Sequence, residues 1–217
     1  MLEHERACIE RRLQPRKYTL THFNAVETRA EPTCLDGVDA FIIGGSGDFS
    51  VHHPKSQPWV TPLRHVIGAA LERDIAGFGV CFGHQLLGVQ LGSEVVTSQD
   101  HSELGTVTVQ VTEAGRKDPL YEGYGASFRV HSGHSDYVVS VPEGVDVLAS
   151  NARCPTQAFR VRGTQTYSVQ FHPDMSGAEA RYRYLAYRHG FADRLDDDAM
   201  KAAEKFIPEA DESTTLL

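Results

Sequence analysis

The chain has 217 residues, 41% of them hydrophobic, and a formal charge of −8, which suits one large α/β domain spanning 1–217 with a substantial core. The acidic balance argues against nucleic acid as a partner. No apolar run approaches the ~20 residues needed to cross a bilayer, so no membrane partner is expected either. The start, Met1-Leu2-Glu3-His4-Glu5-Arg6, is polar and lacks signal-peptide character. Four cysteines, at 8, 34, 81 and 154, form no C-x-x-C pair and no regular framework, which fits free thiols in a reducing cytoplasm. Among eleven histidines, His131 and His134 stand three apart and His52-His53 are adjacent. No cysteine or HExxH partner joins them, so neither metal nor cofactor is expected.

In chain order, Glu3 to Leu13 reads as a helix and Lys17 to Phe23 alternates like a strand. Val38 to Ile43 is a short apolar strand that ends on Gly44-Gly45-Ser46-Gly47-Asp48. Leu63, Val66, Ile67, Ala70 and Leu71 fall on one face of an amphipathic helix. An apolar run from Ile75 to Val80 leads into Cys81, and a helical stretch runs from His84 to Leu91. This alternation implies a parallel sheet with helices on both faces. From Glu94 the pattern changes to short strands: Val95-Val96, Val107 to Val111, Phe128 to Val130, Tyr137 to Val139, Val145 to Leu148, Ala158 to Val161 and Tyr167 to Phe171. This half is expected to be mixed or antiparallel. Two charged surface helices, Ala178 to Arg188 and Asp197 to Ile207, follow, and the tail Glu209 to Leu217 is expected to pack poorly.

Three segments carry chemistry. Gly77-Phe78-Gly79-Val80-Cys81-Phe82-Gly83-His84-Gln85 has the form of a nucleophile elbow. A side chain on so tight a strand-to-helix turn adopts strained backbone angles, and flanking glycines let strand and helix approach. The turn also aims the thiol at a helix N-terminus, which favours thiolate. A buried structural cysteine is the competing reading. Downstream, His172-Pro173-Asp174 closes a strand, so that His172 can serve as general base with Asp174 as its orienter; the competing reading is a plain turn. The glycine run after Ile43 can present bare N–H groups to an oxyanion.

Taken together these segments resemble the class I (triad) glutamine amidotransferases, most closely those similar to the amidotransferase domain of GMP synthase. The resemblance covers roughly residues 36 to 175. Val130-His131-Ser132-Gly133-His134-Ser135-Asp136 resembles the family's substrate loop, Ser-His-Gly-Asp, and Glu103-Leu104-Gly105 its Glu-x-Gly. The resemblance implies a flavodoxin-like, mostly parallel sheet with flanking helices and a mixed or antiparallel extension. It implies hydrolysis of the glutamine side-chain amide through a glutamyl thioester on Cys81, with His172 and Asp174 completing the triad and Phe82 and Gly45 N–H groups holding the oxyanion. Gln85, His134 and Ser135 fall at substrate-binding positions, Gln85 having a helix-surface role as its alternative. Glu103 and Asp136 fall behind them, in supporting roles or as solvated charges.

The chain departs from the family in three places. Asp174 stands where the family usually has Glu, and the substrate loop reads Gly133-His134-Ser135-Asp136. The first family strand is missing ahead of Glu3, either because the protein starts further upstream or because the sheet has lost it. In the latter case Lys17–Phe23 must pair elsewhere or leave a frayed edge. The chain carries no P-loop or ATP site, so the protein is expected either to partner a separate synthetase or acceptor subunit or to act on a small γ-glutamyl compound; a homodimer is compatible with both. Two alternatives stand beside the amidotransferase: a hydrolase of another γ-glutamyl amide, and a weakly active binding module on the same fold. A third, the heat-shock-protein/protease-like superfamily, would draw its histidine from just after the cysteine, at His84.

Overall fold

The computed structural model describes residues 2–14, 17–47, 49–191 and 197–217; Asp48 of the glycine run lies outside them. Helix α1 (Leu2–Leu13) opens the chain, as its sequence implies. Then come β1 (Ala40–Ile43), α2 (Gln57–Glu72), β2 (Ala76–Val80), α3 (Phe82–Gln90), β3 (Val95–Thr97), β4 (Glu103–Val111) and β5 (Ser127–His134). Strands β6 (Asp136–Val138), β7 (Val145–Ser150), β8 (Ala158–Val161) and β9 (Thr166–Val169) precede α4 (Gly177–Phe191) and α5 (Asp197–Ala203).

Seven strands form one sheet in the order β1-β2-β9-β8-β7-β4-β5. The first three are parallel and the remaining pairings antiparallel. This is the expected α/β architecture, a parallel core continued by an antiparallel extension. Helix α3 packs on β1, β2 and β9, while α4 lies against β4 and β5. One apolar layer gathers Val80, Val130, Leu148 and Phe171; another gathers Ile67, Leu86, Leu87 and Phe159 between helices and sheet. Parallel strands that end side by side bring the loops after β1, β2 and β9 to one edge, where α/β folds place their sites.

Three expectations need correction. Lys17–Phe23 is irregular and largely exposed, not a strand. Alternation favours a strand only where a ladder partner exists. Among the described residues, β1 is the terminal strand and β2 is its only partner. Instead Tyr18 Oη donates to the Glu10 carbonyl at 3.1 Å, and His22 lies 3.2 Å from Glu10 Oε1, so this segment leans on α1.

The tail does not hang loose. Ala210, Ser213, Leu216 and Leu217 are buried. Leu216 joins the cluster around Tyr121 and Val111, and Arg129 Nε donates to Glu212 Oε1 at 2.7 Å. Two terminal leucines have enough apolar surface to hold a short tail down.

The segment read as a substrate loop is mostly strand. Residues 131–134 lie in β5, and Glu103 of β4 pairs directly with His134. Only Ser135 turns the chain into β6.

Candidate active site

Cys81 sits between β2 and α3 with φ +51° and ψ −100°, a conformation that non-glycine residues rarely adopt. Strain of this kind is typically about 1–3 kcal/mol and persists only where the surroundings impose it. Here the constraint is mutual. The Cys81 N–H donates to the Val169 carbonyl at 2.9 Å, extending the β2–β9 ladder, and its carbonyl accepts from Gln85 N as the first bond of α3. Glycine is needed on both sides. A Cβ on Gly79 would lie 2.7 Å from the Gly83 carbonyl oxygen, and one on Gly83 would lie 2.2 Å from that of Ile43.

The loop after β1 closes on the same point. A Cβ at Gly45 would stand 2.7 Å from His172 Cε1 and 3.4 Å from Cys81 Cβ, so bare backbone, thiol and imidazole are neighbours. Phe82 turns its ring away, toward Trp59 at 5.3 Å. Its backbone N–H belongs to the first turn of α3, where helix geometry provides no intrahelical acceptor.

His172 is buried, with Nδ1 3.0 Å from Asp174 Oδ1; the other carboxylate oxygen accepts from Arg183 Nη1 at 2.9 Å. Burial is the strongest influence on the His172 ring and lowers its pKa. The Asp174 charge and hydrogen bond, helped by Cys81, outweigh it and raise the value above that of free histidine. Burial likewise acts to raise the Asp174 carboxyl, but His172 and then Arg183 overcome it and hold it far below the usual carboxylate range. Asp174 therefore reaches the ring despite lacking the methylene of the family's glutamate. Nothing in the sequence singles out Arg183, one of many charges in the helical stretch from Ala178.

A cavity of about 640 Å³ collects eight of the ten residues singled out from the sequence, Gly45, Cys81, Gln85, Glu103, His134, Ser135, Asp136 and His172. Phe82 and Asp174 stand behind its wall. Gln85 is buried, which removes its helix-surface alternative, and its Nε2 donates to the Asp136 carbonyl at 2.9 Å. The same nitrogen lies 3.3 Å from Gln170 Oε1, and Gln170 Nε2 reaches Cys81 Sγ at 3.7 Å. Gln170 was missed, although a polar residue at an inward position of an apolar strand is itself a signal.

At the opposite wall, His134 Nδ1 faces the Asp136 carbonyl at 3.0 Å and Nε2 faces Glu103 Oε2 at 3.1 Å. Glu103 also accepts from Asn151 Nδ2 at 2.7 Å and from Gln157 Nε2. Burial pushes its carboxyl up, but these donors prevail and its pKa is lowered. Glu103 is thus a buried, fully engaged carboxylate rather than a solvated one. Asp136 accepts from Thr97 Oγ1 at 2.5 Å and lies 3.8 Å from His52 Nδ1.

His84 is elsewhere. It is fully buried, 2.8 Å from Ser168 Oγ and packed on Phe159 at 4.7 Å. Burial, and then His134, lower its pKa to about 3. It is a neutral core residue and does not line the cavity, which removes the reading that paired it with Cys81. Among the described residues, no three His, Cys, Asp or Glu side chains converge on a metal-sized point, and no helix is long and apolar enough to cross a membrane.

Comparison with known proteins bears on the family and the fold. The profile of class-I glutamine amidotransferases matches residues 6–189. The chain is 36% identical to a glutamine-hydrolyzing GMP synthase of Syntrophomonas wolfei over 158 residues, which is 73% of this chain and 27% of that one. It is 31% identical to a subunit of the glutamine-hydrolyzing GMP synthase of Sulfurisphaera tokodaii over 145 residues, 67% of this chain and 72% of that one. It spans only 20 to 28% of the length of three of the glutamine-hydrolyzing GMP synthases it matches. Among solved structures, a glutamine amidotransferase of Thermotoga maritima superposes with a TM-score of 0.69 at 18% identity, covering 84% of this chain and 76% of that one. One from Methylobacillus flagellatus gives 0.64 at 19% identity, with 98% and 83% covered. At such identities the structural likeness speaks for the fold alone. On the strength of the profile match, the chain belongs to the class-I glutamine amidotransferase family.

Proposed function

We propose that the chain, acting as one domain, hydrolyses the side-chain amide of glutamine and hands the ammonia to an acceptor on another polypeptide. The observation that carries this reading is the strained Cys81, held at the N-terminus of α3 beside the His172–Asp174 pair at the edge of one cavity. His172, beside Cys81 and oriented by the Asp174 carboxylate, takes the thiol proton as the sulfur engages substrate. Cys81 sulfur attacks the carboxamide carbon, and the oxyanion is held by the Phe82 and Gly45 N–H groups. Collapse of the tetrahedral species breaks the C–N bond as His172 gives its proton to departing ammonia. The neutral imidazole then takes a proton from water, whose oxygen displaces sulfur from the thioester. Glutamate leaves and His172 returns its proton to the Cys81 sulfur.

Gln85, His134 and Ser135 line the part of the cavity where the amino-acid end of the substrate would sit, with Glu103 and Asp136 holding that wall in place. A separate acceptor polypeptide is supported by the likeness to the Sulfurisphaera tokodaii protein, which is named as a subunit. A thiol nucleophile with four unpaired cysteines suits the reducing cytoplasm. The test is direct. Pure protein incubated with glutamine should release ammonia and glutamate in equal amounts, and hydroxylamine should trap a glutamyl hydroxamate. Neither product should form with Cys81→Ser. If the wild type releases neither product even after a matching synthetase subunit is added, the proposal fails.

A further inference from the structure

Asp174 has two carboxylate oxygens, and both are engaged. Oδ1 faces His172 Nδ1 at 3.0 Å, while Oδ2 accepts from Arg183 Nη1 at 2.9 Å. The two partners come from different places, His172 from the segment after β9 and Arg183 from the middle of α4. Asp174 is 3% exposed and Arg183 6%. A guanidinium taken out of water is unfavourable unless specific partners compensate it. Among the described residues its Nε and Nη2 have no hydrogen-bond partner, although the residue lines the cavity. Glu5, Cys8 and His4 of α1 also face it, and Glu5 is itself engaged by Tyr187 Oη at 2.7 Å. Stapling α4 to the sheet could be done by apolar packing such as that of Leu104 of β4 and Tyr184 of α4 on the cluster of Ala180, Met175 and Phe206. A buried cation aimed at the second oxygen of the carboxylate does something those contacts cannot.

We propose that Arg183 is a positioning residue of the triad: by pinning Asp174 Oδ2 it fixes the carboxylate plane, and so the direction in which His172 presents its other nitrogen to Cys81. The proposal rests on the amide-hydrolase reading of the same site. It also accounts for a triad that works with aspartate. A carboxylate on a shorter arm has less freedom to find the ring, and a rigid second partner supplies the orientation.

The test uses the full chain and two readouts. The first needs no substrate: alkylation of Cys81 by iodoacetamide across pH, followed peptide by peptide, with exposed Cys34 as internal reference. The second is kcat and KM for glutamine. In R183M the Cys81 acid limb should move up by about one pH unit, a tenfold loss of reactivity at a given acidic pH. Its kcat should fall on the order of 10–100-fold with KM nearly unchanged, as when supporting partners of a site are removed. R183K keeps the charge without the planar fork, so it should restore the acid limb and recover kcat only in part. The Cys34 rate should not move.

An R183M protein that melts lower yet keeps the wild-type Cys81 profile and kcat would make Arg183 a mere staple and overturn the proposal. If R183M does not fold, R183K decides: wild-type kcat in that variant overturns it too. D174N separates the role of Arg183 from that of the triad. A Cys81 profile unchanged in D174N brings down the triad itself, whereas a shift in D174N without one in R183M brings down only the role of Arg183. Should glutamine not be the substrate, the alkylation comparison still decides whether Arg183 positions Asp174.

Discussion

The two walls of the cavity are built in different ways. On one side, Gly45, Cys81 and His172 follow three adjacent parallel strands, and each arrives from a motif a few residues long. On the other, Glu103 and His134 face each other across an antiparallel ladder and depend on Asn151 and Gln157 from further along the chain. The first wall is set by backbone: a strained turn, close glycine contacts and N–H groups. The second is set by a buried ionic network. Backbone walls should therefore fail by losing rate while the fold survives, and the ionic wall should fail by losing stability and binding together.

The largest expected effect is at Cys81. Cys81→Ser should lower glutaminase turnover on the order of 10⁴–10⁶-fold, as loss of a nucleophile does elsewhere. Cys81→Gly should be as inactive yet melt no lower than wild type, because relief of about 1–3 kcal/mol of strain offsets the lost thiol packing. Thermal melts of the two variants check this, and a glycine variant that melts well below the serine variant would show that the turn is not strained.

Next is Gly45→Ala. The added methyl meets His172 Cε1 at 2.7 Å, so the ring or the glycine loop, which is proposed to hold the oxyanion, must move. Turnover should fall about 10²–10³-fold, the usual effect of spoiling one oxyanion donor, with Tm little changed. Unaltered kinetics would mean that the loop yields freely and contributes no donor.

Glu103→Gln tests the other wall. Breaking a buried pair typically costs about 3–5 kcal/mol, and here KM should rise more than kcat falls. The sign of the pH effect follows from the lowered Glu103 pKa. Stability from this carboxylate is fully present above its ordinary value of 4.5 and is lost as pH falls through the lower folded value. Denaturant titrations of wild type should show that acid limb, and the variant should show a weaker one. If both lose stability identically toward acid, Glu103 does not carry the network.

The smallest effect is expected outside both walls. Phe23 is 45% exposed in the irregular segment that leans on α1, so Phe23→Ala should change stability by less than about 0.5 kcal/mol. A loss of several kcal/mol would mean that this segment is a paired strand after all.

Half of the site was legible because its chemistry is local. A nucleophile on a tight turn needs glycine at close spacing, and a strand that must end on a base places His172 and Asp174 two residues apart. Glu103 and His134 were visible only as members of motifs; that they form one buried pair depends on β4–β5 register. Gln170 was legible in principle, as an amide where an apolar strand should face inward. Arg183 was not, because a helix with several arginines does not say which one turns under the sheet.

The misreadings share a cause. Lys17–Phe23 has strand-like alternation, but a strand needs a neighbour, and the sheet ends at β1 instead. The tail was expected to pack poorly because tails usually do, yet Leu216 and Glu212 each meet a partner far away in sequence. Short-range pattern by itself determined the elbow, the glycine loop, the His-Pro-Asp strand end and the change from parallel to antiparallel halves, because backbone sterics and side-chain period act over a few residues. Only the tertiary structure decided which buried charges pair, which helical arginine meets Asp174 and where the C-terminal tail lies. Those depend on contacts between distant elements, whose energies no local pattern encodes.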